Sequence, residues 1–225
     1  RQIDRYEEVY PNLSKHDPDY PAPDYLRSMV FVGNVGYTGD MGAPSPGSER
    51  IVEVLLQPDP SPVWLQAWGG ANTIARALKT IKDNHPGRVA EVAKKARLFL
   101  IAEQDDTLRE YILPEWPDVQ VLLSDWPSFE VIAYPWEKLL SAEQQTYFDK
   151  HWMIANILEG HGPLCAPYES SKSGKFRSEG DTPAFLHVID TGLRSAEHPS
   201  YGGWGGRFKQ QDGFWISVDK RNDPP

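Results

Sequence analysis

The sequence predicts an α/β protein, with a mostly parallel open sheet and helices on both faces. Near-continuous apolar runs recur at Val63 to Ala67, Arg97 to Ala102 and Val119 to Leu123. Amphipathic helical stretches separate them, as in parallel sheets covered on both sides. The first run passes into a helix through Trp68-Gly69-Gly70-Ala71-Asn72-Thr73, the kind of turn that points main-chain groups into the crevice where open α/β sheets bind ligands. The same residues also suit a strand-to-helix turn with no ligand.

Taken in order, the chain opens at Arg1 in an amphipathic helical pattern (Ile3, Tyr6, Val9, Tyr10) without a methionine. The expectation is an N-terminally incomplete domain that lacks its first strand. Met29 to Val32 reads as a strand, and Ser48 caps a helix carrying Ile51, Val52, Leu55 and Leu56 on one face. After the Val63 strand, Asn72 is the expected N-cap of a helix with Ile74, Leu78 and Ile81 in one stripe. A more polar helix covers Arg88 to Lys95, and a short helix reaching Leu113 lies between the second and third apolar runs. Phe129 to Tyr134 reads as a short strand or extended crossing, and Ala142 to Leu158 as a longer helix. Beyond Gly160 the chain is loop-rich, with a polar surface loop over Ser170 to Ser178 and a short helix from Pro183. No linker or repeat interrupts it, so residues 1–225 are expected to form a single domain.

The 225 residues carry a formal charge of -9 and a pI near 5.1. Binding a phosphate backbone requires a basic stripe, and none is present, so nucleic acid is not expected as a partner. No apolar run approaches the roughly 18 residues of a membrane span, and no signal peptide is recognisable. A lone cysteine, Cys165, excludes an internal disulfide and reads as a packing residue. Asn12-Leu13-Ser14 matches a glycosylation acceptor, which matters only in a eukaryotic secretory setting. Of the eight tryptophans, most are expected in the core.

Polar residues collect where strands end: Gln104-Asp105-Asp106, Ser124-Asp125 and Glu179-Gly180-Asp181. Together they suit a hard cation or a polyol, because calcium takes six to eight oxygens and sugar hydroxyls pair with Asp, Asn and Gln. Individually, Asp106 and Asp181 also suit helix capping. Tyr201-Gly202-Gly203-Trp204-Gly205-Gly206-Arg207-Phe208 sets two aromatic rings and an arginine among four glycines. Such rings bind the apolar face of a sugar or a nucleobase, or else fold back over the core.

With His198-Pro199-Ser200 leading into that stretch, these motifs together resemble the nucleoside hydrolase-like domain of the family labelled cellulose-binding. More distantly the chain resembles the inosine-uridine nucleoside hydrolases. That resemblance implies a calcium ion held by the carbonyl of Ala71 and by Asp181, with Asn72 starting the helix and joining Gln104, Asp105 and Asp106 as substrate-binding residues that contact sugar hydroxyls. Gly180 stands where the hydrolases carry a general-acid histidine, and neighbouring Glu179 is the candidate either to substitute as proton donor or to contact sugar hydroxyls. Gly33-Asn34 is similar to a strand-ending pair of the same enzymes, while their Asp-rich first motif has no counterpart here.

Two functions follow as expectations. The first is a calcium-dependent hydrolase of an N-glycosidic or related sugar bond, favoured by Asp181 and the acidic residues at the strand ends. The second is a non-catalytic carbohydrate-binding module, favoured by Gly180, with Trp68, Tyr201 and Trp204 as platform and Arg207 beside it. Either implies a sugar, nucleoside or polysaccharide as partner. Homo-oligomers are known among the related hydrolases, and an extracytoplasmic location suits a polysaccharide target.

Overall fold

The computed structural model describes residues 1–133, 140–172 and 180–218. The chain forms two compact units: Arg1–Phe31 with Ala133–Ser178, and Val32–Ile132 with Glu179–Pro225. Because the first unit is assembled from segments distant in sequence, no linker announces it.

Along the chain the helices are α1 (Gln2–His16), α2 (Pro23–Ser28) and α3 (Pro46–Leu56), followed by strand β1 (Val63–Ala67), α4 (Asn72–Asn84), α5 (Val89–Lys95) and β2 (Ala96–Ile101). A π turn over Leu108–Ile112 runs into α6 (Leu113–Glu115), then come β3 (Gln120–Ser124) and α7 (Trp126–Ala133). The remainder holds α8 (Ala142–Gln145), α9 (Lys150–Met153), α10 (Thr182–Val188), and the strands β4 (Phe208–Gln211) and β5 (Phe214–Ser217).

In the first unit, Arg27 of α2 pairs with Asp4 and Glu7 of α1 and with its own neighbour Asp24. Tyr6 Oη donates to the carbonyl of Pro21, and Gln2 Nε2 to that of Leu164. The continuous helix expected over Ala142 to Leu158 is interrupted. Asp149 is extended, and its carboxylate accepts from Trp152 N at 2.7 Å, so it caps a new helix rather than continuing the old one. Cys165 is half-buried, its Sγ 3.7 Å from the carbonyl of His161. Most of the expected surface loop at Ser170 to Ser178 lies outside the described residues.

The second unit contains the sheet, in the order β1-β2-β3-β5-β4. Strands β1, β2, β3 and β5 are parallel, and β4 returns antiparallel along β5. Alternation in β2 and β3 divides the core. Leu98, Leu100, Val121 and Leu123 pack with Leu55, Leu78, Ile81 and Val92 on one face, while Phe99, Ile101 and Leu122 pack with Ala184 and Phe208 on the other. Helices therefore cover both faces of a mostly parallel sheet, as expected. Buried Lys95 donates to the carbonyls of Val54 and Gln57, which satisfies the C-terminal end of α3.

Several local expectations are corrected. Met29 to Val32 makes no strand: it is exposed and belongs to no sheet among the described residues, with the Val32 carbonyl accepting from Gly47 N. Ser45, not Ser48, caps α3, and Ser48 completes a capping box at the third helical position. Asn72 does not cap α4. Ala71 occupies that position, and the Asn72 carboxamide is directed elsewhere. Phe129 to Ala133 is helical, because Asp125 Oδ1 accepts from Ser128 N and starts α7 directly after β3; Tyr134 lies outside the described residues. Of the tryptophans expected in the core, only Trp116 is fully buried among those described. The β4–β5 hairpin turns through Asp212 and Gly213, both at positive φ, the Asp-Gly signature of a two-residue hairpin loop.

Candidate functional site

The candidate residues of the second unit gather where the parallel strands end, and they divide into an inward-facing polar hub and an outward-facing aromatic tip. Asn72 and Asp105 form the hub. Asn72 Nδ2 donates to the carbonyls of Asn34 (2.8 Å) and Asp40 (2.9 Å), and its backbone N–H donates to Asp105 Oδ2 at 3.1 Å. The other carboxylate oxygen of Asp105 accepts from Thr107 N and Thr107 Oγ1. Both Asn72 and Asp105 are buried.

Gly70 permits this arrangement. A Cβ there would lie 2.2 Å from Asp105 Oδ2, so no other residue lets the carboxylate reach the start of α4. Asn34 extends the hub, donating from its backbone to Thr73 Oγ1 and from Nδ2 to the Ala43 carbonyl, and accepting from Ser45 Oγ. Residues 33–45 are thereby latched onto the beginning of α4. Asn34, Asp40, Thr73 and Thr107 were not singled out from sequence as one cluster, because their pairings span up to 39 residues.

Gln104 and Asp106 flank the hub at the surface. Gln104 Nε2 donates to the carbonyls of Trp68 and Ile101. Ala102 holds the left-handed φ of 56°, a strained conformation for a residue with a Cβ. It sits where β2 ends and the chain turns into Glu103 to Asp106. Glu103 is paired bidentately with Arg109, whose guanidinium lies over the Phe214 ring.

At the end of β3, Ser217 Oγ donates to Asp125 Oδ1 (3.2 Å) and lies 2.6 Å from Ser128 Oγ. Asp181 is half-buried at the N-terminal position of α10 and makes no side-chain cap there. Gly180, just before it, is buried with Phe129 against it: a Cβ would stand 2.3 Å from Phe129 Cε2. Glu179 lies outside the described residues.

The calcium expectation can be set against these groups. Among the described residues no three His, Cys, Asp or Glu side chains gather as a metal site. The Ala71 carbonyl already accepts the first helical bond of α4, from Ala75 N. Both oxygens of Asp105 are engaged as above. These donors do not fit a calcium ion on their own, since it requires six to eight oxygens, and no chemical step is derived through one.

The aromatic tip is built differently. Gly203 and Gly206 exchange backbone hydrogen bonds of 3.1 and 3.0 Å, closing a hairpin with Trp204 and Gly205 at its turn. Three contacts clamp this hairpin. A Cβ on Gly203 would meet Ser195 at 2.9 Å, and one on Gly205 would meet the Pro183 carbonyl at 2.5 Å and His187 Cβ at 2.6 Å. The glycines thus serve close approach, not looseness. Backbone and α10 are in contact beneath, and the Trp204 ring stands out with 66% of its surface exposed.

Tyr201 is 58% exposed and lies next to His198, with the Arg194 guanidinium 5.9 Å over its ring. Arg207 is exposed directly after the hairpin. The chain then enters β4 at Phe208, which pairs with Ser217 at the end of β5. The hairpin therefore lies toward the same carboxyl-terminal end of the parallel strands as Trp68, which is 51% exposed and follows β1 at the opposite edge of the sheet.

Beneath the tip lies a residue that sequence reading missed. His187 of α10 is completely buried, and neither ring nitrogen has a hydrogen-bond partner among the described residues. Its ring is boxed by Trp64, Phe99 and Phe208, with centroids 5.2, 5.4 and 5.6 Å away. Burial holds its pKa down at about 4. Only its place on the apolar face of a short helix could have drawn attention to it.

Comparison with known proteins agrees with this architecture. The family model described as cellulose-binding Sde182, nucleoside hydrolase-like domain, matches residues 1–208. A solved structure of a nucleoside hydrolase-related hypothetical protein from Saccharophagus degradans, described as associated with carbohydrate metabolism, is similar with a TM-score of 0.73 and 28% identity. The match covers 97% of this chain and 54% of that one, so the chain spans about half the length of that protein. No curated protein sequence matches.

Proposed function

Because the chain belongs to the family of cellulose-binding, nucleoside hydrolase-like domains, we propose that it is a carbohydrate-binding module, its binding face formed by Trp204 with Tyr201 and Trp68. The observation that carries this reading is the clamped hairpin that presents the Trp204 ring to solvent while Asn72 and Asp105 turn inward onto protein partners. A flat indole on a fixed backbone is suited to the C–H face of a pyranose ring, because little conformational freedom is lost on contact. Covering about 80 Å² of ring at about 25 cal/mol per Å² contributes about 2 kcal/mol, roughly thirtyfold in affinity. Several sugars of one chain, each on its own ring, would multiply this gain.

The hydrolase alternative has less support from the geometry. A general acid must reach the bond it cleaves, yet Phe129 fills the space that a side chain at position 180 would need. Asn72 and Asp105, which the resemblance would set against sugar hydroxyls, have buried protein partners for the bonds described above. Calcium held by Asp181 and the Ala71 carbonyl belongs to that alternative and requires further oxygens.

The deciding experiment is retention on insoluble cellulose and on soluble oligosaccharides, compared between the parent chain and Trp204→Ala. A loss of retention of about thirtyfold with unchanged thermal stability supports the reading. Equal retention by both proteins overturns it.

A further inference from the structure

We propose that neutral His187 is the positioning residue for Trp204: its ring fills the aromatic box that seats the Gly203–Gly206 hairpin, and protonating it unseats the hairpin and releases the carbohydrate. The release rests on the carbohydrate-binding reading, whereas the coupling of the two residues does not.

His187 touches the tip directly. The turn residue Gly205 is pressed against its Cα and Cβ, and Ser195, whose side chain abuts Gly203, donates from Oγ to the His187 carbonyl at 2.8 Å. Side chain and carbonyl of one residue thus support both ends of the Trp204 turn. The imidazole meets the edges and faces of Trp64, Phe99 and Phe208 and finds no acceptor for a second proton. An imidazolium in such a box would be desolvated without compensation.

Among the described residues of the elements packed against it, no charged neighbour offsets this. Strand β1 has no titratable side chain. Arg97 of β2 donates to the carbonyls of Lys94 and Ala96, and Lys209 of β4 is exposed. Asp181 lies at the far N-terminal end of α10, Asp190 and Arg207 are exposed, and Arg194 pairs with Glu197. His198, beside Tyr201 and Trp215, is the other histidine near the hairpin. Burial is accordingly the cause of the low His187 pKa. Once the box opens, the ring recovers an ordinary histidine value near 6.5, so acidification favours the open form.

The test follows the Trp204 indole N–H resonance, assigned by its loss in Trp204→Phe, in the full chain without carbohydrate as pH is lowered from neutral to about 4. Cellulose retention is measured over the same range. The expected result is an indole shift that titrates below pH 6.5, a roughly tenfold fall in retention, and neither change in His187→Phe. An indole resonance indifferent to pH overturns the proposal, as does a titration that persists in His187→Phe. If the indole titrates as expected but cellulose is retained at no pH, the coupling stands and the carbohydrate-binding reading falls. Should His187→Phe not fold, the His187 Cε1 proton of the parent chain serves instead: a midpoint different from that of the Trp204 indole overturns the coupling.

Discussion

Gly205 and His187 are in such close contact that a single added methyl group on the glycine would stand 2.6 Å from the histidine Cβ and 2.5 Å from the carbonyl of Pro183. One of these obstacles is backbone and cannot rotate away. Gly205→Ala should therefore lift the hairpin from α10 and destabilise the chain by about 1 to 3 kcal/mol. Thermal unfolding would register the loss. Cellulose retention should fall with Trp204 still present, and undiminished retention would show that the seat of the hairpin is irrelevant to binding.

Asn72 and Asp105 invite the opposite separation of stability from binding. Replacing Asn72 by alanine leaves the carbonyls of Asn34 and Asp40 without their donor, a loss of about 1 to 3 kcal/mol for buried groups. The urea midpoint should drop by the corresponding amount. Below the unfolding transition, carbohydrate retention should remain that of the parent. A selective loss of retention in a stably folded Asn72→Ala would return this residue to the binding face.

How much of this was legible beforehand depended on distance along the chain. The strands Val63–Ala67 and Ala96–Ile101 were readable because each apolar run reports its own burial. The Asp212-Gly213 turn carries an equally local signal, yet the expectation beyond Gly160 is a loop-rich chain, which does not foresee the strands Phe208–Gln211 and Phe214–Ser217. By contrast, the partners of Asn72 come from residues 34 and 40 and from Asp105, a grouping no periodicity reveals. Thus Asn72 and Asp105 could be picked out as polar residues at strand ends, but their inward orientation could not. His187 was hidden for the same reason: its box is drawn from residues 64, 99 and 208. Met29 to Val32 had the composition of a strand but found no partner strand, and composition alone does not supply one.

Stability should carry the signature of His187. Its folded pKa, about 4, lies below the ordinary 6.5, so between these values the unfolded chain binds a proton that the folded chain refuses. The full stabilisation is present above pH 6.5 and is lost as pH falls toward 4, about 3 kcal/mol across the window. Chemical denaturation at several pH values should show this slope in the parent chain. His187→Phe should flatten it, and a slope identical in the two proteins would assign the effect to carboxylates instead.

Calcium separates the two functional readings. Titrating the chain with calcium in a calorimeter should give no saturable heat on the carbohydrate-binding reading, and Asp181→Ala should behave like the parent. A saturable isotherm that disappears in Asp181→Ala would restore the hydrolase reading. Nucleosides and sugar conjugates would then be the compounds to assay.

Position 180 offers the sharpest test of whether hydrolase chemistry can be recovered. Gly180→His restores the residue type that the related hydrolases use as a general acid, but its Cβ would start 2.3 Å from the Phe129 ring. The single variant should lose about 1 to 3 kcal/mol of stability through overpacking. Removing the obstacle in Gly180→His/Phe129→Ala should recover part of that loss, giving a favourable coupling energy in the double-mutant cycle. If Gly180→His alone is as stable as the parent, Phe129 is not the barrier, and the absence of a histidine would need another physical cause. If the double variant folds and cleaves a nucleoside, the scaffold still holds every other group that hydrolysis requires. A folded but inactive double variant supports a site committed to binding, in which the phenyl ring occupies the place of the acid.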